Sequence, residues 1–159
     1  VPPGSRIWVE VGANSRNLLA WTEALCPGNS DVYIISFEPL LAQYASITRS
    51  PRHDTLTPLG STLHSSGHGV SLPLAVSTIT PQIDLNVSPL DSCSGTLSPI
   101  TTLSHNQCTR VSERRRVPSI SLYDFFDTLL PENATIDFLK IDTQGSGLDV
   151  LASAGSHIS

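Results

Sequence analysis

The sequence predicts an α/β fold built on a parallel sheet, and three observations carry that prediction. The opening third alternates extended apolar runs with helical ones in the order strand, helix, strand, helix, the pattern of parallel strands joined by crossover helices. The last third returns to the same alternation after a Ser/Thr-rich middle. Small or acidic residues follow three of the extended runs, at Glu10 to Asn14, Glu38-Pro39 and Asp142 to Gly145.

Arg6 to Val11 is β-branched and aromatic and ends at Gly12, so it reads as a buried strand running into a turn. Asn17 to Leu25 carries an apolar stripe of Leu18, Leu19, Trp21, Ala24 and Leu25, and Pro27-Gly28 stops this predicted helix. Asp31 to Phe37 is a second buried strand, and Leu40 to Thr48 a short helix ending before Pro51. His53 to Gly69 has no period and reads as loop. Val70 to Val76 is expected as a third strand, at an edge or with a bulge because Pro73 interrupts it. Ile83 to Val87 makes another short strand. Ser88 to Arg116 is a Ser/Thr-rich excursion that reads either as a substrate-covering segment or as mobile chain. Val117 to Leu122 is extended and Tyr123 to Leu129 helical up to Pro131. Ile136 to Ile141 is the clearest buried strand after the first two, and a turn then leads into a helix over Leu148 to Ala154.

The 159 residues suffice for one domain with a real core, and 39% hydrophobic against 14% charged residues excludes a disordered chain. Ser and Thr supply the polarity, at roughly a quarter of the chain. The absence of Met predicts that Val1 is not a translation start and that the chain is a fragment, a processed form or the product of an incomplete gene model. No apolar run reaches the roughly 18 residues of a membrane span, and the N-terminus lacks the apolar core of a signal peptide. A net charge of -5 argues against nucleic acid as a partner, which would call for a basic footprint. The one basic run, Arg114-Arg115-Arg116, reads as a solvated loop, with an anionic-group contact as the alternative.

Cys26, Cys93 and Cys108 form no C-x-x-C pair and no Cys/His cluster with ligand spacing, so no metal site is expected. Cys26 reads as a small buried hydrophobe. Cys93 and Cys108 flank one central loop region, where an oxidising compartment would allow a disulfide. Asn133-Ala134-Thr135 matches a glycosylation sequon, a tripeptide common by chance.

Ligands of open parallel sheets bind beyond the carboxyl ends of the strands. Gly12 lets the backbone turn there and lets a ligand approach it. Glu38, about two dozen residues beyond Gly12, is placed to accept hydrogen bonds from the ribose hydroxyls of a nucleotide-like cofactor; the plainer alternative is a solvated strand cap. A dinucleotide site calls for G-x-G-x-x-G, whereas Gly12 stands alone before Ala13-Asn14-Ser15-Arg16. A P-loop is excluded as well, since the single lysine is Lys140. One glycine after an acidic strand, followed by a ribose acid, fits S-adenosylmethionine, which has no pyrophosphate to accommodate.

Several blocks in order resemble the FkbM-type S-adenosylmethionine-dependent methyltransferases. Val9-Glu10-Val11-Gly12-Ala13-Asn14 is similar to the family's first motif, and Ser36-Phe37-Glu38-Pro39 to its "FEP" ribose block. Leu74 to Ser77 resembles the segment after the third strand, and Val117 to Phe125 the stretch leading into the fourth. Ile136 to Gly145, continuing to Val150-Leu151, is similar to the "DFLKIDxEG…VL" block. The set spans nearly the whole chain. Three departures stand out. Ser15 and Arg16 follow Asn14 where a second glycine is usual, Gln144 replaces a common Glu, and Gly147 replaces a second acid. Gln144 keeps an acceptor oxygen but lacks the charge that a metal ligand or a base would use.

The resemblance implies a Rossmann-like class I methyltransferase sheet with flanking helices, in a domain covering residues 6–155. A sheet of that family carries further strands. The C-terminal ones are therefore expected to be missing, leaving the flank of Ile136 to Ile141 as an open apolar edge. It implies S-adenosylmethionine as cofactor, with Glu10, Gly12 and Asn14 on the methionine side, Glu38 on the ribose, and Val76 and Ser77 near the adenine. The implied reaction is methyl transfer to an oxygen, typically a hydroxyl of a sugar or other small metabolite. Such an alcohol needs a general base. Asp142 is the first candidate, with a cap on the following helix as its alternative role. His53, His64, His68 and His105 read as exposed loop histidines, and His157 carries no role. Two other classes remain: a catalytically inactive remnant of the same fold, and a nucleotide-binding oxidoreductase using NAD, which the missing glycines disfavour.

Overall fold

The computed structural model describes residues 1–14, 31–48, 69–90, 93–96 and 110–157. In chain order its strands are β1 (Arg6–Val11), β2 (Val32–Phe37), β3 (Gly69–Leu72), β4 (Ala75–Val76), β5 (Gln82–Val87), β6 (Glu113–Ile120) and β7 (Ile136–Ile141). The helices are α1 (Leu41–Thr48), α2 (Leu122–Thr128) and α3 (Gly147–Ala152), followed by a 3₁₀ turn at Gly155–His157. The helix expected over Asn17 to Leu25 lies outside the described residues, as do His53, His64, His68, His105, Cys26 and Cys108.

The main sheet has the order β3-β2-β1-β7, and every pairing in it is parallel. The chain builds outward from β1 through β2 to β3, then returns to lay β7 on the other side of β1. That reversal is the topological switch point of a Rossmann-like sheet, and it opens a crevice beyond the ends of β1 and β7. A smaller sheet, β4-β6-β5, joins β4 to β6 in parallel and β5 to β6 antiparallel.

Alternation along β1 explains how the main sheet is covered. Ile7, Val9 and Val11 face one side, where they pack with Phe37, Val76, Leu122, Phe125 and Val150 into the larger core. Phe125 of α2 meets Phe37 edge-on, with ring centroids 5.0 Å apart. Glu10 faces the other side and stands in register with Ser36 and Lys140, while Ser36 stands in register with Ser71. A polar row thus crosses all four strands. The hydroxyls of Ser36 and Ser71 lie 2.7 Å apart, and both residues are buried. Leu40, Ala75, Ile83, Leu85 and Val117 form a second, smaller core under the β4-β6-β5 sheet.

Three sequence expectations are corrected. Val70 to Val76 is two strands, because Pro73 has no N–H to continue the ladder; β3 stays in the main sheet and β4 enters the small one. Arg114, Arg115 and Arg116 are strand residues of β6 rather than loop, with Arg116 opposite Asp84 of β5 and its Nε donating to Asp84 Oδ1 at 2.8 Å. β7 is not a buried strand: it pairs with β1 alone among the described residues, and Phe138 is 48% exposed beside Trp8. Among the described residues no strand pairs with the outer flank of β7.

Candidate functional site

A cleft opens where the two cores meet, beyond the carboxyl ends of β1, β2 and β7. Val11, Gly12 and Asn14 contribute from β1 and its loop, Phe37, Glu38 and Pro39 from β2, and Asp142, Thr143 and Gln144 from β7. Leu74, Ala75 and Val76, with Ile83 and Leu85 of β5, add an aliphatic wall.

Glu38 is 5% exposed, and its carboxylate ties two segments together. Oε2 accepts from the Asn14 backbone N–H at 2.7 Å, and Oε1 from the Leu40 N–H at 2.9 Å. An ionised carboxylate that accepts backbone N–H groups makes charge-assisted bonds, stronger than neutral ones. The bond to Asn14 holds the loop after β1 in a sharp bend, where Asn14 itself has a left-handed φ of 53°.

Gly12 serves the turn that its position suggested and a close approach as well. Its φ is +86°, and a β-carbon there would stand 2.3 Å from the carbonyl oxygen of Asp142. The close approach is to the end of β7, so Gly12 closes the switch point.

Glu10 does not line the cleft. Its carboxylate is fully buried and accepts from Lys140 Nζ at 2.8 Å, and the same ammonium reaches Asp142 Oδ2 at 3.2 Å. Partial burial pushes the Lys140 pKa down, but the bonds and charges of Glu10 and Asp142 outweigh it and leave the value raised. Asp142 lines the cleft and is not the cap of α3, since Ser146 occupies the N-cap position. Asp142 Oδ1 accepts no hydrogen bond among the described residues. Beside it, Thr143 Oγ1 is buried without a partner in the wall of the same cleft.

Val76 lines the cleft, whereas Ser77 does not. The Ser77 hydroxyl is buried and donates to Asp149 Oδ2 of α3 at 2.8 Å, and Thr78 Oγ1 donates to Asp149 Oδ1 at 2.5 Å. Burial pushes the Asp149 pKa up, yet the bonds from Thr78 and Ser77 prevail and hold it below the usual carboxylate range.

Several lining residues escape the sequence reading. Ile83 and Leu85 show there only as a short strand; their alternation marked an apolar face without saying that it turns toward the cleft. Ser94, Gly95 and Thr96, inside the Ser/Thr-rich excursion, also line it. Among the described residues there is no group of three or more His, Cys, Asp or Glu able to hold a metal, and no helix long and apolar enough to cross a membrane.

The model of the methyltransferase FkbM domain matches residues 10–159, nearly the whole chain. The chain belongs to the FkbM methyltransferase family. No curated protein and no solved structure matches it. The family match begins at Glu10 and takes in the Gly12 turn, Glu38 and the Asp142 to Gln144 wall, so the FkbM domain and the cleft coincide. The protein is thus a methyltransferase on a Rossmann-like α/β sheet.

Proposed function

We propose that this FkbM methyltransferase uses S-adenosylmethionine to methylate a hydroxyl of a sugar or other small metabolite. The observation that carries the reading is the buried Glu38 carboxylate at the end of β2, oriented by the Asn14 and Leu40 N–H groups over an aliphatic wall at the switch point. The cleft chemistry fits the cofactor. Glu38 and Asp142 are the charged side chains among the described lining residues, and none of those residues is a cation that would hold a pyrophosphate. A carboxylate-lined cleft instead favours a cationic sulfonium. The partnerless Thr143 Oγ1 adds a donor that gains from an acceptor.

Bound S-adenosylmethionine supplies an electrophilic methyl group, so alignment and exclusion of water are the main tasks of the protein. Glu38 accepts from the ribose hydroxyls, and Val76 with Leu74, Ile83 and Leu85 packs against the adenine. Gly12 and Asn14 shape the loop on the methionine side. Glu10 acts behind that loop through Lys140, which orients Asp142. Asp142 receives the hydroxyl proton at Oδ1, the oxygen that Lys140 does not hold. Ser77 supports the wall through Asp149 rather than touching the cofactor.

Gln144 in place of an acid, and the ammonium held against Asp142, favour one second reading, a cofactor-binding remnant without turnover. Calorimetric titration with S-adenosylmethionine, S-adenosylhomocysteine and NAD tests both. Binding of the two sulfur compounds and not of NAD is expected, and Glu38→Ala should weaken it by at least about tenfold. Binding of NAD alone overturns the assignment. Binding without methyl transfer across hydroxylated acceptors selects the remnant.

A further inference from the structure

Residues Cys93 to Thr96 belong to neither sheet, yet they close one side of the cleft through Ser94, Gly95 and Thr96. Gly95 is the junction. Its N–H donates to Asn86 O at 3.1 Å and its carbonyl accepts from Asn86 N at 2.8 Å, a reciprocal pair with β5. On its other side Gly95 forms a parallel bridge with Gln144, in the turn after β7. A β-carbon on Gly95 would stand 2.6 Å from the Gln144 carbonyl oxygen, so only glycine allows this approach without a backbone shift. Ser94 Oγ accepts from Ser88 N at 3.0 Å, and Asn86 Nδ2 donates to Thr96 O at 3.4 Å.

Ser94, Gly95 and Thr96 carry no large apolar side chain, so polar bonds of small net worth hold them in place. Immediately before them Cys93 is half-buried and disulfide-bonded, and both other cysteines lie outside the described residues. A cross-link next to a weakly held segment lowers the entropic cost of ordering it.

We propose that Cys93 to Thr96 is a strap that completes the cleft, with Gly95 as the residue that seats it on Gln144 and the Cys93 disulfide as its anchor. The ligand affinity of the cleft then depends on thiol redox state. A dithiol reductant opens the anchor by thiol–disulfide exchange through a mixed disulfide. Two electrons and two protons pass to the cystine, which becomes two thiols, and the reductant leaves as a disulfide.

The test compares the full chain oxidised, the chain reduced with dithiothreitol, and the Cys93→Ser and Gly95→Ala variants. Hydrogen exchange at the Asn86 and Gly95 amides should be at least about tenfold faster in the last three, with β1 and β2 unchanged. Affinity for S-adenosylhomocysteine should fall at least about fivefold in the same three, an arm that rests on the proposed function. Equal exchange before and after reduction overturns the strap. So does a loss of protection that spreads through β1 and β2, because the disulfide would then staple the whole fold. Faster exchange with unchanged affinity overturns the redox control. Failure of the oxidised chain to bind S-adenosylhomocysteine overturns the proposed function instead, and the exchange measurement still decides the strap.

Discussion

The backbone of Gly12 packs against the carbonyl of Asp142 so closely that a β-carbon would stand 2.3 Å from the oxygen. Two strand ends far apart in sequence therefore meet at a point where no side chain fits. With a φ of +86°, Gly12→Ala carries both a left-handed backbone penalty and an overlap with backbone that cannot rotate away. We expect a loss of about 2–4 kcal/mol, read as a fall of at least about 5 °C in Tm. A Tm within about a degree of the parent protein would show that β1 and β7 part without cost.

Asp149 should act as a pH-dependent staple between α3 and the end of β4. Its carboxylate accepts from Ser77 Oγ and Thr78 Oγ1, and its pKa is held below the usual value of 3.8. A depressed folded pKa means that the stabilisation is complete above the unfolded value and is lost as pH falls through the folded one. Asp149→Asn should cost about 1–2 kcal/mol at neutral pH, and the gap to the parent should narrow below about pH 4. Urea denaturation across pH 3 to 7 measures it. A gap constant down to pH 3 would mean that the charge on Asp149 contributes nothing.

Strands β1, β2 and β7 were legible because each is rich in β-branched and aromatic residues and bounded by turn residues. Glu38 was legible because a carboxylate ending a strand about two dozen residues after Gly12 is a local pattern. The partners were not. Glu10 reads as part of the first motif, and nothing nearby says that Lys140, 130 residues away, will neutralise it. Ser77 likewise reads as a cofactor neighbour until Asp149 takes its hydroxyl. Pro73 warned of an interruption, but which sheet β4 would join depends on β6, far along the chain. The exposure of β7 was hidden in its own apolar composition, because burial depends on neighbouring strands.

Lys140 should be more costly to remove than an ordinary half-buried lysine. Its ammonium faces a carboxylate with no solvent exposure, and Lys140→Met would leave that charge without its cation. We expect a loss of about 3 kcal/mol, most of it recovered in the double variant Glu10→Met/Lys140→Met, where neither charge is buried. Because the Lys140 pKa is raised, its stabilisation is present below the unfolded lysine value of 10.5 and disappears as pH rises through the folded one. Chemical denaturation of the two variants at pH 7 and of the parent up to pH 11 checks both statements. No recovery in the double variant would show that Lys140 acts through packing of its stem rather than through its charge.

Glu38 separates a structural role from a binding role by a change of one atom. Its two carboxylate oxygens receive the N–H groups of Asn14 and Leu40, and Glu38→Gln puts an amide NH₂ where one of those oxygens stood. One backbone donor then faces another donor in a buried setting, at a cost of about 1–3 kcal/mol. If the donor left unpaired is that of Asn14, the loop after β1 also loses the bond that holds its left-handed residue. Thermal denaturation should therefore show a fall of about 3–8 °C, even before any ligand is added. S-adenosylhomocysteine affinity should drop by about tenfold alongside it. A Tm fall with intact affinity would assign Glu38 to the loop alone. Lost affinity at an unchanged Tm would mean that the carboxylate serves the ligand and that the loop keeps its bend without it.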